Sequence, residues 1–171
     1  YSPHDSSEIL LYNEVNSIIQ DSSGLMWLGT LGGGIHIINT KDLLFCTHPI
    51  QEVENKLTSN AVRSICVSND NTLWMGIGRF GIVSYDHQTG KFTYYNEEKE
   101  FRNYDINATV FSIIESENSN SLWFSTHGKG VFVCTYSQAP KIQQVTNLNT
   151  QTHSWLTDDC VFSLSESYNG H

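Results

Sequence analysis

Short apolar runs separated by polar turns make up most of this chain, and the same succession of runs recurs along it. A run of the form V-x-S-I is followed by a polar turn and then by a run in which Leu or Met precedes Trp. Trp27 and Trp74 are 47 residues apart, and Trp123 follows 49 residues after Trp74. A fourth run of the first kind begins at Val161, shortly before the sequence stops at His171. This near-constant period indicates a repeat protein.

Each copy of the repeat predicts four short β-strands, which we label A to D. Strand A is the V-x-S-I run and strand B is the Trp run, and a Gly-rich turn leads from B into strand C. Strand C is predicted at 35–39, 82–86 and 131–136, and strand D begins near Phe45, Phe92 and Ile142. No segment has the period of an amphipathic helix. Four strands and one Trp in every 47 to 49 residues are typical of a β-propeller blade.

The repeat therefore predicts an all-β fold, a partial β-propeller of about three and a half four-stranded antiparallel blades. The predicted parts are the tail and linker of a preceding blade at 1–12, blade 1 at 13–59, blade 2 at 60–107, blade 3 at 108–158 and the first strand of a truncated blade 4 at 159–171. Propellers close with about four to eight blades, so we expect a piece of a longer protein. Its open ends favour contact with the remaining blades of the parent protein, and also self-association.

Trp27, Trp74 and Trp123 occupy the same position in successive copies of the repeat. The runs around them are apolar on both faces, as expected for a blade whose two faces pack against neighbouring blades. We interpret the three rings as core between blades. Stacking on a sugar is the alternative role for such rings, but the repeat alone explains them.

Composition and charge exclude some classes of function. The chain has 171 residues and a net charge of −9 at pH 7, which argues against a nucleic-acid-binding surface. No apolar run approaches the length of a membrane span, and the first residues lack the pattern of a signal peptide. The four cysteines, Cys46, Cys66, Cys134 and Cys160, lie too far apart for a zinc ribbon. Two disulfides are possible, but we favour small buried side chains.

Candidate catalytic groups are sparse in this sequence. Its seven histidines lack the spacing of a metal-binding pair, and it contains no Ser-His-Asp motif and no phosphate loop. Asp21 and Gly24 ahead of Trp27 resemble a sialidase Asp-box, but the spacing is one residue too long, and both residues favour turns. We predict no catalytic residue, no metal site and no cofactor. A propeller enzyme, a lyase or a glycosidase, is the alternative.

The first copy, from Asn13 to Ile35, reads N-x-V-x-S-I-x-x-D-x-x-G-x-x-W-x-G-T-x-x-G-G-I. It resembles the two-component regulator propeller repeat. The second copy keeps V-x-S-I, W-x-G and G-I and ends its strand C on Tyr85 and Asp86, whereas the third copy has Ser125 in place of the Gly of W-x-G. The resemblance covers nearly the whole chain.

In that family, the repeat occurs in periplasmic sensor regions of hybrid two-component systems of gut Bacteroidetes, which detect glycan fragments and signal to a histidine kinase. The resemblance implies a non-catalytic sensor segment in the periplasmic ectodomain of an inner-membrane protein. It also implies an oligosaccharide or another small ligand as partner. The kinase itself is absent from this chain. A pure scaffold, with the ligand site elsewhere in the parent protein, is a further alternative.

The turns between strands B and C differ between copies and supply the candidate ligand site. Two glycines in the first copy are replaced by Arg79 and Phe80 in the second, and the third copy has His127 and Lys129 in this turn. Arg can clamp a carboxylate or a sulfate, and Phe can stack on a sugar face. We predict that these four residues bind ligand and that the fold survives replacement of Arg79 or Phe80 by alanine. A solvent-exposed turn with arbitrary side chains is the alternative.

Arg63 is a second departure from the repeat. It shares a column with Asn16, Phe111 and Phe162, the residues at the x position of V-x-S-I. A charge in this column lines the propeller channel or pairs with a carboxylate. We favour structural pairing as its role.

Overall fold

The computed structural model describes residues 14–39, 44–48, 61–86, 89–116, 119–138 and 141–167. The strands are β1 (Val15–Gln20), β2 (Leu25–Thr30), β3 (Ile35–Asn39), β4 (Leu44–His48), β5 (Val62–Val67), β6 (Leu73–Ile77), β7 (Gly81–Asp86), β8 (Lys91–Tyr94), β9 (Val110–Glu115), β10 (Ser121–Thr126), β11 (Val131–Gln138) and β12 (Lys141–Leu148). Two single-turn 3-10 helices, Tyr95–Glu97 and Lys99–Phe101, follow β8. No helix within these ranges has the length and apolar character needed to cross a membrane.

The strands form three antiparallel four-stranded sheets, each in chain order: β1 to β4, β5 to β8 and β9 to β12. Strands A to D of one repeat are therefore the four strands of one blade, joined by short turns that antiparallel neighbours permit. The inner strands β1, β5 and β9 lie side by side, as they do along the channel of a propeller. The prediction of an all-β partial propeller is confirmed.

The core lies between the blades. Trp27, 2% exposed, belongs to the apolar cluster between blades 1 and 2, where its ring centroid is 6.1 Å from that of Tyr85. Trp74 is fully buried in the second cluster, between blades 2 and 3. Trp123 is only half-buried, because its face of blade 3 is covered by no described blade. Trp27 and Trp74 therefore lie in the core between blades, whereas the same role for Trp123 stays a prediction.

The opposite end of the array is also open. Ile65 and Ile113 are buried against the preceding blade, whereas Ile18, at the equivalent position of blade 1, is 59% exposed. Among the described residues, blade 1 thus exposes Ile18 and blade 3 partly exposes Trp123, whereas the equivalent side chains of the other blades are buried. Self-association through these two faces remains a prediction.

Close contact between blades explains why the repeat contains W-x-G. A β-carbon on Gly29 would lie 2.6 Å from Oγ of Ser17 in the same blade and 2.7 Å from Cγ1 of Val62. One on Gly76 would crowd Oγ of Ser64 in the same blade and lie 2.8 Å from Cγ1 of Val110. In both cases the valine begins the V-x-S-I run of the next blade. The glycine therefore lets the inner strand of one blade approach the backbone of its neighbour.

We expect Gly76→Ala to lower the free energy of unfolding by about 1–3 kcal/mol, because the added methyl overpacks the contact with Val110. Urea unfolding measures this change. Ser125→Ala is the matched control, since blade 3 already accommodates a β-carbon at this position and the Ser125 hydroxyl is buried without a hydrogen-bond partner among the described residues. Equal stability of Gly76→Ala and the wild type would contradict the close packing of blades 2 and 3.

The predicted first strand of blade 4 is not a strand in the structure. Residues 160–167 have no strand pairing and lie along blade 3. The amide of Val161 donates to the carbonyl of Thr126 at 3.0 Å, and the amide of Leu164 donates to Oγ of Ser112 at 3.3 Å. Strand A pairs with strand B in each of the three sheets.

The cysteines behave as small buried side chains where they are described. Cys66 and Cys134 are buried, Cys160 is half-buried, and all three are free thiols. Burial raises the pKa of the Cys66 thiol to about 11, so this group is not a reactive thiolate at neutral pH. The side chain of Cys46 lies outside the described residues.

Candidate functional site

A β-bulge interrupts the pairing of strands A and B in all three blades. The bulged residue is Asn16 in β1, Arg63 in β5 and Phe111 in β9. A bulge leaves one residue outside the ladder and re-aims its side chain. The x position of V-x-S-I is therefore the place where each inner strand can present a variable side chain, while the flanking Val and Ser hold the blades together.

Phe111 contacts both Phe162, which shares its position in the repeat, and His127, one of the predicted turn residues. Its ring centroid is 4.9 Å from that of Phe162 and 5.9 Å from that of His127. Asn16 Nδ2 in turn donates to the carbonyl of Val62 in the next blade at 3.2 Å. We call Asn16, Arg63, Phe111, His127 and Phe162 the inner cluster.

The aromatic part of the inner cluster is open to solvent. Phe162 is 67% exposed, His127 is exposed and Phe111 is half-buried. Three rings from three separate segments of the chain thus meet at one accessible place. The sequence named each of these residues, but it gave no sign that their rings are in contact.

Arg63 does not form the ion pair that we favoured for it among the described residues. It is half-buried, and its Nε is shielded from solvent without a hydrogen-bond partner among the described residues. No described carboxylate compensates its charge. A shielded charged donor without an acceptor is unfavourable, so a ligand that brings an acceptor would gain a strong hydrogen bond here.

The turns between strands B and C lie at the same end of the blades as the links from strand D to the next strand A. In each blade the amide of a turn residue donates to a carbonyl just ahead of strand A: Leu31 to Glu14 at 3.1 Å, Gly78 to Ala61 at 2.9 Å and His127 to Thr109 at 2.9 Å. These two sets of connections thus lie close together in all three blades. It places the turn residues beside the starts of the inner strands.

Arg79 is exposed and has a backbone φ of +59°. This left-handed conformation favours glycine, and Gly128 adopts it with a φ of +78° at the equivalent position of blade 3. A non-glycine residue in this region carries a strain of about 1 kcal/mol. A glycine would adopt the turn without that strain.

Phe80 contradicts the expectation of a ring available to a ligand. It is 6% exposed, belongs to the core cluster between blades 1 and 2, and packs edge-on against Tyr94 with ring centroids 5.6 Å apart. Its amide closes the turn onto the carbonyl of Ile77 at 3.1 Å, and its ring fills the apolar gap between blades. Phe80 is therefore a core residue in a turn.

Lys129 forms an ion pair with Asp105, which lies in the link that precedes β9. Its Nζ is 2.8 Å from Oδ2 of Asp105, and both side chains are partly exposed. The hydrogen bond from Lys129 holds the pKa of the Asp105 carboxyl below its usual value. An exposed pair of this kind adds little stability, but it compensates the charge of Lys129. Of the four predicted turn residues, Arg79 and His127 are thus the better placed for a ligand.

Asp21 has a structural role that the sequence revealed only in part. Its Oδ1 accepts hydrogen bonds from the amides of Ser23 and Leu25 at 2.9 and 3.0 Å, as expected of a turn former. Its Oδ2 accepts from Nε1 of Trp27 at 2.8 Å, so the turn also fixes the indole. Burial alone would raise the pKa of Asp21, but these hydrogen bonds outweigh it and lower the pKa.

The chemistry offered by the inner cluster is that of binding. It combines aromatic faces with a guanidinium donor, which suits a ligand that has an apolar ring face and oxygen acceptors. In the part of the chain that the structure describes, no three His, Cys, Asp or Glu side chains are close enough to hold a metal ion.

Blades with repeated bulges, glycine contacts and buried tryptophans define a β-propeller of tandem repeats. Residues 9–32 and 56–79 match the model of the two-component regulator propeller. The chain therefore carries the two-component regulator propeller repeat, which confirms the resemblance found in the sequence.

Known proteins extend this assignment. The chain is 30% identical over 130 residues to histidine kinase P4 of Formosa agariphila, an alignment that covers 76% of the chain and 9% of the kinase. Its fold is similar to that of the extracellular domain of a one-component system of B. thetaiotaomicron, with a TM-score of 0.73 at 17% identity over 98% of the chain and 21% of that domain. The extracellular domain of a hybrid two-component system of the same organism gives a TM-score of 0.66 at 22% identity, over 86% of the chain and 20% of that domain. The chain spans less than a quarter of each of these proteins, and the structural similarities concern the fold alone.

Proposed function

We propose that this chain is the ligand-detecting propeller segment of a periplasmic sensor, anchored by its parent protein in the inner membrane. In this proposal it binds an oligosaccharide, and binding is relayed to a histidine kinase outside the chain. The similarity to a histidine kinase and to extracellular domains of bacterial signalling systems supports the signalling role. The inner cluster supports the binding role.

The observation that carries the proposal is the exposed aromatic contact beside Arg63. Phe111, His127 and Phe162 offer ring faces to solvent, and Arg63 lies at the position equivalent to Phe111 in the adjacent inner strand. Sugars combine apolar C–H faces with oxygen acceptors, so rings and a guanidinium meet both requirements.

The position of the inner cluster also suits signalling. Its bulged residues come from β1, β5 and β9, one from each blade. A ligand that contacts more than one of them bridges adjacent blades and favours one arrangement of those blades over another. The remaining blades of the parent protein would cover the open faces at Ile18 and Trp123.

The test is a calorimetric titration of the parent ectodomain with neutral and uronic-acid oligosaccharides. We expect Arg63→Gln to weaken binding at least tenfold, because a hydrogen bond from a charged group contributes about 1.5–3 kcal/mol. Lys91→Gln is the control, since it removes the same charge from an exposed residue at the turn between β7 and β8, outside the inner cluster. If Arg63→Gln melts normally and binds every probe like the wild type, the inner cluster is not the ligand site.

A further inference from the structure

Trp155 presents most of its indole to solvent. It is 66% exposed, whereas Trp27 and Trp74 are almost completely buried. It has no counterpart in the other copies of the repeat, which carry their Trp in strand B. Neither the repeat nor the core therefore accounts for this ring.

The link that carries Trp155, residues 149–159, is held in one conformation by its own hydrogen bonds. Oδ1 of Asn149 accepts from the amides of Gln151 and Thr152, each at 3.0 Å. The carboxylate of Asp159 accepts from both the amide and the hydroxyl of Thr150, at 2.7 and 3.0 Å. A residue on such a link is ordered before a ligand arrives, so binding loses little conformational entropy.

The ring itself is also fixed in place. The amide of Leu156 donates to the carbonyl of His153 at 3.0 Å and closes the turn around Trp155. The imidazole of His153 lies edge-on to the indole with ring centroids 5.6 Å apart. The indole is therefore oriented as well as exposed.

The link lies against the turn of blade 3 that contains His127. The amide of Gly130 donates to the carbonyl of Asp159 at 2.8 Å. Trp155 is thus at the same end of the blades as the inner cluster.

We propose that Trp155 stacks on the pyranose face of a bound saccharide and forms a second contact point beside the inner cluster. The inference rests on the proposed saccharide binding and adds a specific residue to it. The neighbours Ser154, Thr157 and Asp158 are exposed and polar, and they offer hydrogen-bonding groups to the hydroxyls around a stacked sugar ring.

The surroundings of Trp155 favour a saccharide over a protein partner. A protein-docking surface needs a contiguous apolar patch of several hundred Å². Among the described residues, the other exposed large hydrophobic side chains are Ile18, on the open face of blade 1, and Phe162, in the inner cluster. One isolated aromatic ring rimmed by polar groups matches the size of a single sugar.

The experiment titrates the parent ectodomain with cellohexaose, xylohexaose, maltohexaose and an oligogalacturonide. Binding is followed by calorimetry, and exposure of the indole by acrylamide quenching of tryptophan fluorescence. We expect a bound saccharide to protect one tryptophan from quenching in the wild type. Trp155→Ala should weaken binding at least tenfold and abolish the protection. Trp155→Tyr should bind within a few-fold of the wild type, because it retains an aromatic face.

Gln151→Ala is the matched control, since it truncates an exposed side chain of the same link and leaves the backbone bond to Asn149 in place. It should bind like the wild type. Unchanged saccharide binding by Trp155→Ala would overturn the role of Trp155 and leave the proposed function standing. A change in the association state of the ectodomain, with saccharide binding unchanged, would identify a protein contact and overturn the role as well. A wild type that binds none of the probes would overturn both proposals.

Discussion

Replacing Trp74 by alanine is expected to lower the free energy of unfolding by about 3–5 kcal/mol. The side chain is completely buried in the cluster between blades 2 and 3. Its ring centroid lies 5.2 Å from that of Tyr95, and its Nε1 donates to Oγ of Ser68 at 3.3 Å. The substitution leaves a cavity between two blades and removes one hydrogen bond of the Ser68 hydroxyl, which keeps its bonds to Asp70 and Thr72. Signalling by the parent protein should be lost through unfolding.

The measurement is urea unfolding of the parent ectodomain, and Trp123→Ala is the control. Trp123 occupies the same position of the repeat and bonds Oγ of Ser121 at 3.0 Å, but it is half-buried among the described residues. If the remaining blades leave Trp123 open, its substitution should be markedly milder. If they cover it, the two losses should be equal. A Trp74→Ala variant as stable as the wild type would contradict the inter-blade core.

Phe80→Ala is expected to lower the free energy of unfolding by about 3–5 kcal/mol as well, although the residue lies in a turn. An exposed turn residue would change stability by only about 0.5 kcal/mol in either direction. Phe80 instead belongs to the cluster between blades 1 and 2 and packs edge-on against Tyr94. Its loss should therefore impair ligand binding through the fold and not through a direct contact.

Arg79→Ala is the control within the same turn, because Arg79 is exposed. It should melt within about 1 °C to 3 °C of the wild type, as a surface substitution does. Thermal melting of both variants, followed by saccharide titration of each, separates the two roles. If Phe80→Ala melts normally but no longer binds saccharide, Phe80 contacts the ligand directly. That result would contradict its assignment to the core.

The candidate site was only partly predictable from the sequence. Comparison of the repeats identified the variable positions, and His127 and the column of Arg63 do lie together at one end of the blades. The direction of each side chain was not predictable, because Phe80 and Arg79 are neighbours in one turn and yet one is buried and the other exposed. Trp155 carried no signal at all, since it lies outside the repeated positions.

The sequence by itself determined the order of the strands in blades 1 to 3, because this order depends on local alternation and on turn residues that recur with the period. It also determined which positions recur in every blade, such as the Trp of strand B. The tertiary structure alone decided what those positions contact: Gly29 and Gly76 are small because a valine of the next blade lies against them. It also decided that Trp123 is half-exposed and that Lys129 pairs with Asp105. The contacting valines lie 33 and 34 residues along the chain from Gly29 and Gly76, and Asp105 lies 24 residues from Lys129. A local pattern does not encode which of these distant surfaces meet.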